Sequence, residues 1–159
     1  MALPRTGNLA PVFTLLDQDG KKVSLKDFKG KNNVVLYFYP KAMTPGCTTQ
    51  ACCLRDSKKQ LAKLETVVLG VSPDPVPRLG KFIAKEKLNF TLLSDEDHAV
   101  AEKYGVWGLK KFMGREFMGI RRTSFIIGKD GRLKHVMDKV NTKTHHDDVL
   151  KLVAELCKD

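Results

Sequence analysis

The sequence predicts an α/β fold: a central mixed β-sheet flanked by helices, with a β-hairpin near the N-terminus. Three observations carry that prediction. Residues 34–39 (VVLYFY) form a nearly continuous apolar run, as expected of a strand covered on both faces. A second such run, 66–72 (TVVLGVS), follows a helical stretch, and a strand–helix–strand unit normally makes a right-handed parallel crossover. Two further segments carry the turn signals of hairpins, and antiparallel hairpins beside a parallel unit make the sheet mixed.

The elements follow in order. Residues 13–16 and 22–25 flank Asp17-Gln18-Asp19-Gly20 and read as the N-terminal hairpin. Strand 34–39 ends before Pro40. A helix is expected from Pro45 to about Lys63, with Ala51, Leu54, Leu61 and Leu64 near one face. Strand 66–72, a helix near 76–87 and a short strand at 90–93 come next. Ser94-Asp95-Glu96-Asp97 then looks like a helix start, with a capping serine and acids in the first turn. Residues 105–119 hold four glycines without a clean period and read as a loop. Segments 122–127 and 132–137 flank Gly128-Lys129-Asp130-Gly131, the second hairpin signal, and 144–158 closes the chain as a helix. That order is compatible with a thioredoxin-like core.

Composition bounds the rest. The 159 residues suit a single domain, 1–159, able to bury roughly two thirds of its unfolded surface without staples. No apolar run approaches the ~20 residues of a membrane span, and no apolar stretch near the N-terminus suggests a secretory signal. Two features stand out: a net charge of +10, and four cysteines, Cys47, Cys52, Cys53 and Cys157, three of them clustered. Zinc favours paired C-x2-4-C units with a second half, whereas Cys47-x4-Cys52-Cys53 has none, and the four histidines are remote. Clustered thiols without a metal pattern point to redox chemistry in a reducing, cytoplasmic setting.

Thr44 is a good N-cap and Pro45 a favoured first helical residue, which puts Cys47 at the third helical position. Backbone N–H groups there lack intrahelical partners, so a thiol at such a place is expected to ionise more easily. Lowering a thiol pKa from about 8.5 to about 6 raises the thiolate about thirtyfold at pH 7, or roughly 2 kcal/mol. A millionfold acceleration needs roughly 8 kcal/mol. Donors must therefore also stabilise the charge that develops on a leaving group.

Pro40, Thr44 and Cys47 in PKAMTPGC match the P-x-x-x-[TS]-x-x-C motif of peroxiredoxins. The longer run YFYPKAMTPGCTTQAC resembles the Q type, also called bacterioferritin comigratory protein, and LNFTLLSDEDH, YGVWG, FMG and GIRRTSF extend the resemblance over essentially the whole chain. The resemblance implies a thiol peroxidase that reduces hydrogen peroxide and organic hydroperoxides without a cofactor. It implies that Cys47 is the peroxidatic nucleophile and Thr44 the hydroxyl that contacts thiolate and peroxide. Arg122 in GIRRTSF is similarly implied as the active-site arginine, and Pro40 as the shield against water. A guanidinium suits that place, since it carries permanent charge and several directed donors.

The resemblance also implies Cys52 as the resolving cysteine. In an intact helix the Cα atoms of Cys47 and Cys52 would lie roughly 8–9 Å apart, beyond the ~7 Å a disulfide allows. The first turns of the helix are therefore expected to unwind when the two pair. Geometry leaves Cys53 open as a resolver, and the resemblance favours Cys52. Some relatives place the resolver in the next helix, but residues 78–87 hold no cysteine. Cys157 is the candidate for resolution across a dimer, and otherwise a small packing residue. An intramolecular resolver removes the need for a dimer, so a monomer recycled by thioredoxin or a similar dithiol is expected.

Two other functions fit less well. A general thiol–disulfide reductase would show C-x-x-C at the helix start. A nucleic-acid module could use residues 103–122, which carry six basic residues and one acid among Tyr104, Trp107, Phe112 and Phe117; the cysteine spacing outweighs that signal. His145-His146-Asp147-Asp148 reads as a capped helix start after Thr144 rather than as a metal site, and Asp95, Asp97 and His98 likewise as a helix entry.

Overall fold

Strand β3 (Asn33–Phe38) is buried along its whole length, and the molecule is built outward from it. It pairs in parallel with β4 (Thr66–Ser72) and antiparallel with β8 (Thr123–Ile127). In this computed structural model, which describes residues 3–157, seven strands form one mixed sheet. Its order is β2 (Lys22–Ser24), β1 (Thr14–Asp17), β5 (Thr91–Ser94), β4, β3, β8 and β9 (Leu133–Met137). β4 and β5 are parallel; β1 meets β2 and β5, and β8 meets β9, antiparallel. The predicted mixed sheet with an N-terminal hairpin is present.

Alternation along β3 divides two apolar layers, because successive side chains point to opposite faces. Val34, Leu36 and Phe38 join Leu69, Val71, Phe125 and Tyr104 on one side. Val35, Tyr37 and Tyr39 join α1 (Pro45–Asp56), α2 (Lys58–Lys63), α3 (Val76–Glu86) and α5 (His145–Leu156) on the other, through Ala51, Leu54, Leu61, Leu79, Phe82, Val149 and Val153. Cys47 lies in this second layer. Gly70, opposite Tyr37 in the register, lets the tyrosine ring lie across β4: a Cβ there would sit 3.0 Å from the ring and 2.9 Å from Leu92. Among the described residues no helix is long and apolar enough to cross a membrane.

Four expectations are corrected. Residues 105–119 are not a loop but mostly a two-stranded ribbon, β6 (Trp107–Phe112) and β7 (Arg115–Ile120). Its turn is Met113-Gly114, both at positive φ (50° and 78°), as the tight primed turns of hairpins require. Leu109, Phe117 and Met118 are all exposed, so no one-sided burial marks the strands. The helix expected to run to Lys63 breaks at Ser57, whose hydroxyl donates to the Cys53 carbonyl (2.9 Å) and competes with the helical ladder.

Ser94 caps nothing; it ends β5 and donates to the Asp74 carbonyl. α4 (Ala99–Lys103) starts later: the Ala99 N–H donates to Asp97 Oδ1, and the N–H groups of Val100 and Ala101 donate to the buried Asp95 carboxylate. Thr144 and Thr44 occupy N-cap positions without side-chain caps on the helix backbone. Of the aromatic residues in the basic segment, Tyr104 is buried and Trp107 stacks on His98 at 3.8 Å between ring centroids. Phe117, by contrast, is exposed.

Candidate active site

The site forms where α1 begins, in the turn after β3. Pro40 lies two residues beyond that strand and is half-buried. The turn is clamped from β4 and α3. The Asp74 carboxylate accepts from the Ala42 N–H (2.7 Å) and the Ser72 hydroxyl (2.7 Å), and pairs with Arg78 at 3.2 Å. Arg78 in turn donates to the Ala42 carbonyl (2.9 Å). Beside this clamp Met43 is held at φ 66°, a left-handed conformation that non-glycine residues rarely adopt unless their surroundings impose it.

Thr44 and Pro45 then open α1, and Cys47 is its third residue, as the sequence predicts. The Thr44 hydroxyl donates to the Lys41 carbonyl at 2.8 Å, which leaves its lone pairs as acceptors. Cys47 is 1% exposed. Arg122, in the turn between β7 and β8, reaches it from the opposite side: its Nη2 lies 3.3 Å from Cys47 Sγ. The two residues are 75 apart in sequence, and the sheet brings them together.

Three residues not singled out for this site from the sequence complete it. Arg122 Nη1 donates to Gln50 Oε1 at 2.6 Å. Gln50 Nε2 lies 3.2 Å from His145 Nδ1, and His145 Nε2 lies 2.7 Å from Ser124 Oγ. Gln50, His145 and Ser124 are all fully buried. Burial pushes the His145 pKa down to about 4, with the charges of Arg122 and His146 acting in the same direction. The ring is therefore neutral near pH 7. His145, expected only as part of a helix start, is turned into the core. Gln50 carried a faint signal, since a residue three after Cys47 shares its helix face.

Cys52 is on the same unbroken helix, and no disulfide joins the cysteines among the described residues. Burial raises the Cys52 thiol above its ordinary pKa, offset in part by Arg55. Cys53 is half-buried. Cys157 is half-buried at the end of α5 and packs against the second apolar layer. The C-terminal end of α1 is tied down: Arg55 donates to the Glu86 carbonyl (2.6 Å) and Asn89 to the Arg55 carbonyl (3.1 Å).

A buried thiol at a helix start, faced by a fixed guanidinium on a mixed-sheet α/β frame, can carry cysteine-based redox chemistry. Comparison with known proteins agrees. The model of the AhpC/TSA family matches residues 6–136. The chain is 59% identical to the putative peroxiredoxin Bcp of Haemophilus influenzae over 150 residues, covering 94% of this chain and 96% of the relative. It is 55% identical to peroxiredoxin Bcp of Escherichia coli K12, over 95% of this chain and 96% of the relative. Xanthomonas campestris peroxiredoxin Q superposes with a TM-score of 0.87 at 32% identity, over 92% of each chain. A mutant of Xylella fastidiosa PrxQ does so with a TM-score of 0.91 at 28% identity, over 98% of each.

The chain belongs to the AhpC/TSA family. Its fold is thioredoxin-like, and its activity is that of a peroxiredoxin, a peroxidase acting through cysteine.

Proposed function

We propose that Cys47 reduces hydrogen peroxide and organic hydroperoxides, that Cys52 resolves the product, and that thioredoxin or a similar dithiol returns the enzyme to its starting state. The Cys47 thiolate attacks the terminal peroxide oxygen. The O–O bond breaks, Cys47 becomes the sulfenic acid, and the alkoxide or hydroxide leaves and takes up a proton to become alcohol or water. Arg122 stabilises the thiolate and the charge that builds on the departing oxygen. Thr44, its own hydrogen held by the Lys41 carbonyl, accepts a hydrogen bond from the peroxide O–H. Pro40 shields the site from water.

Cys52, protonated while it is half-buried in the helix, then attacks the Cys47 sulfenic sulfur. An S–S bond forms, the S–O bond breaks, and the hydroxyl leaves with the thiol proton as water. The intact helix holds the two Cα atoms roughly 8–9 Å apart, so residues between Cys47 and the anchored Arg55 must unwind first. An internal disulfide suits a single-domain monomer in the cytoplasm, where dithiols are available to reduce it.

The observation that carries this function is the Arg122 guanidinium 3.3 Å from the Cys47 sulfur, locked in place by Gln50. The test is turnover with thioredoxin and its reductase. Cys47→Ser should consume no peroxide. Cys52→Ser should consume one equivalent and stall. Sustained turnover by Cys52→Ser would remove Cys52 from the cycle.

A further inference from the structure

Gln50 has two jobs in the folded site, and they point in opposite directions once Cys47 has been oxidised. We propose that His145 is a positioning residue: acting through Gln50, it holds Arg122 against Cys47, and the same contact latches α1 against the unwinding that disulfide formation needs. The inference rests on the roles proposed above for Cys47 and Cys52.

The donors and acceptors set a direction along the chain. A guanidinium only donates, so Gln50 Oε1 faces Arg122 as acceptor (2.6 Å). That fixes the amide, and its NH2 group faces His145 Nδ1 at 3.2 Å. An amide NH2 only donates, so Nδ1 must be the unprotonated nitrogen. The ring hydrogen is therefore on Nε2, which donates to Ser124 Oγ at 2.7 Å. A neutral imidazole with that tautomer is the form that completes the chain. His145 is rigidly placed, at the first turn of α5 with the Tyr37 ring 5.8 Å from its own.

Gln50 itself lies between Cys47 and Cys52 on α1. Bringing those sulfurs together displaces it, and both of its hydrogen bonds break. One fully buried contact between α1 and α5 thus favours the peroxide step, by holding Arg122, and opposes the disulfide step, by holding the helix. A residue that merely stabilised the fold would not move the two rates in opposite directions.

The test measures both rates by rapid quench and mass, in His145→Leu, which keeps bulk without an acceptor, and in His145→Asn, whose Oδ1 falls near the place of Nδ1. The peroxide step is read in a Cys52→Ser background and the disulfide step with Cys52 present. His145→Leu should slow the first roughly fivefold and speed the second roughly fivefold, the worth of one neutral hydrogen bond. His145→Asn should recover most of both changes. Ser124→Ala, which loosens the tautomer without touching Gln50, should also slow the first and speed the second, each by less than His145→Leu does. Long-range nitrogen NMR of the reduced wild-type protein should place the His145 hydrogen on Nε2.

Rates that move together, rates that do not move, or a hydrogen on Nδ1 would overturn the inference. If His145→Leu does not fold, Ser124→Ala and the NMR spectrum decide. Peptide mapping of the same quenched samples reports separately whether Cys52 is the partner. The peroxide step and the tautomer thus test the positioning of Arg122 by His145 even if it is not.

Discussion

Replacing Arg122 by methionine removes two contacts at once: the donor 3.3 Å from Cys47 Sγ and the donor 2.6 Å from Gln50 Oε1. The two losses appear in different measurements. A donor aimed at developing charge is worth roughly 10²–10³ in rate, or about 3–4 kcal/mol. The peroxide step should therefore slow by about that factor. Gln50 Oε1, fully buried, loses its partner, at about 1–3 kcal/mol of folding stability. For a chain of this length that lowers Tm by several degrees, at roughly 2–4 °C per kcal/mol. Arg122→Lys keeps a charge, but one ammonium lacks the planar fork that serves both partners, so its rate should fall between the two. The assay is single-turnover oxidation of Cys52→Ser protein, with the sulfenic acid trapped and weighed, and circular dichroism confirming the fold. A folded Arg122→Met protein that reacts within threefold of the parent would refute the reasoning.

Three further outcomes follow. In the disulfide form, amides of residues 48–53 should lose protection from hydrogen exchange while those of α5 keep theirs; unchanged protection would mean that α1 need not unwind. The second concerns His145, whose pKa falls from the ordinary 6.5 to about 4 in the fold, so the unfolded chain binds the proton first and stability drops as pH falls from 6.5 towards 4. The full effect is about 3 kcal/mol; denaturant titrations at pH 7.5 and 4.5 should show a steeper loss in wild type than in His145→Asn, and parallel losses would contradict it. Gly70→Ala should cost about 1–3 kcal/mol by pressing a methyl group against Leu92 and Tyr37, read as a lower denaturant midpoint; an unchanged midpoint would show that these two side chains yield freely.

What was legible in the sequence was local. Strands β3 and β4 announce themselves as apolar runs, and the start of α1 as a Thr-Pro pair, so the residue pattern alone puts Cys47 at its helical position. Arg122 was reachable through the resemblance of GIRRTSF. The Gln50–His145–Ser124 chain was not, because its members are 95 and 21 residues apart and are joined only by the packing of α5 against α1 and the sheet. Gln, His and Ser carry no signal of burial by themselves, and His145 sat in a run that reads equally well as an exposed helix start. The β6–β7 ribbon was missed for a different reason. Beyond Trp107 and Ile120 at its base, which pack on the core, its strands expose apolar and charged side chains together, so the alternation that reveals a half-buried strand is absent. The break at Ser57 came from one side chain competing with the helix backbone, which no hydrophobic pattern records.

The central claim is that Cys47 is oxidised and Cys52 resolves it within one chain. Peptide mapping under non-reducing conditions, after one equivalent of hydrogen peroxide, tests it most directly. A Cys47–Cys52 crosslink within single chains should be the one major species. A crosslink from Cys47 to Cys53 or Cys157, or between two chains, would contradict it.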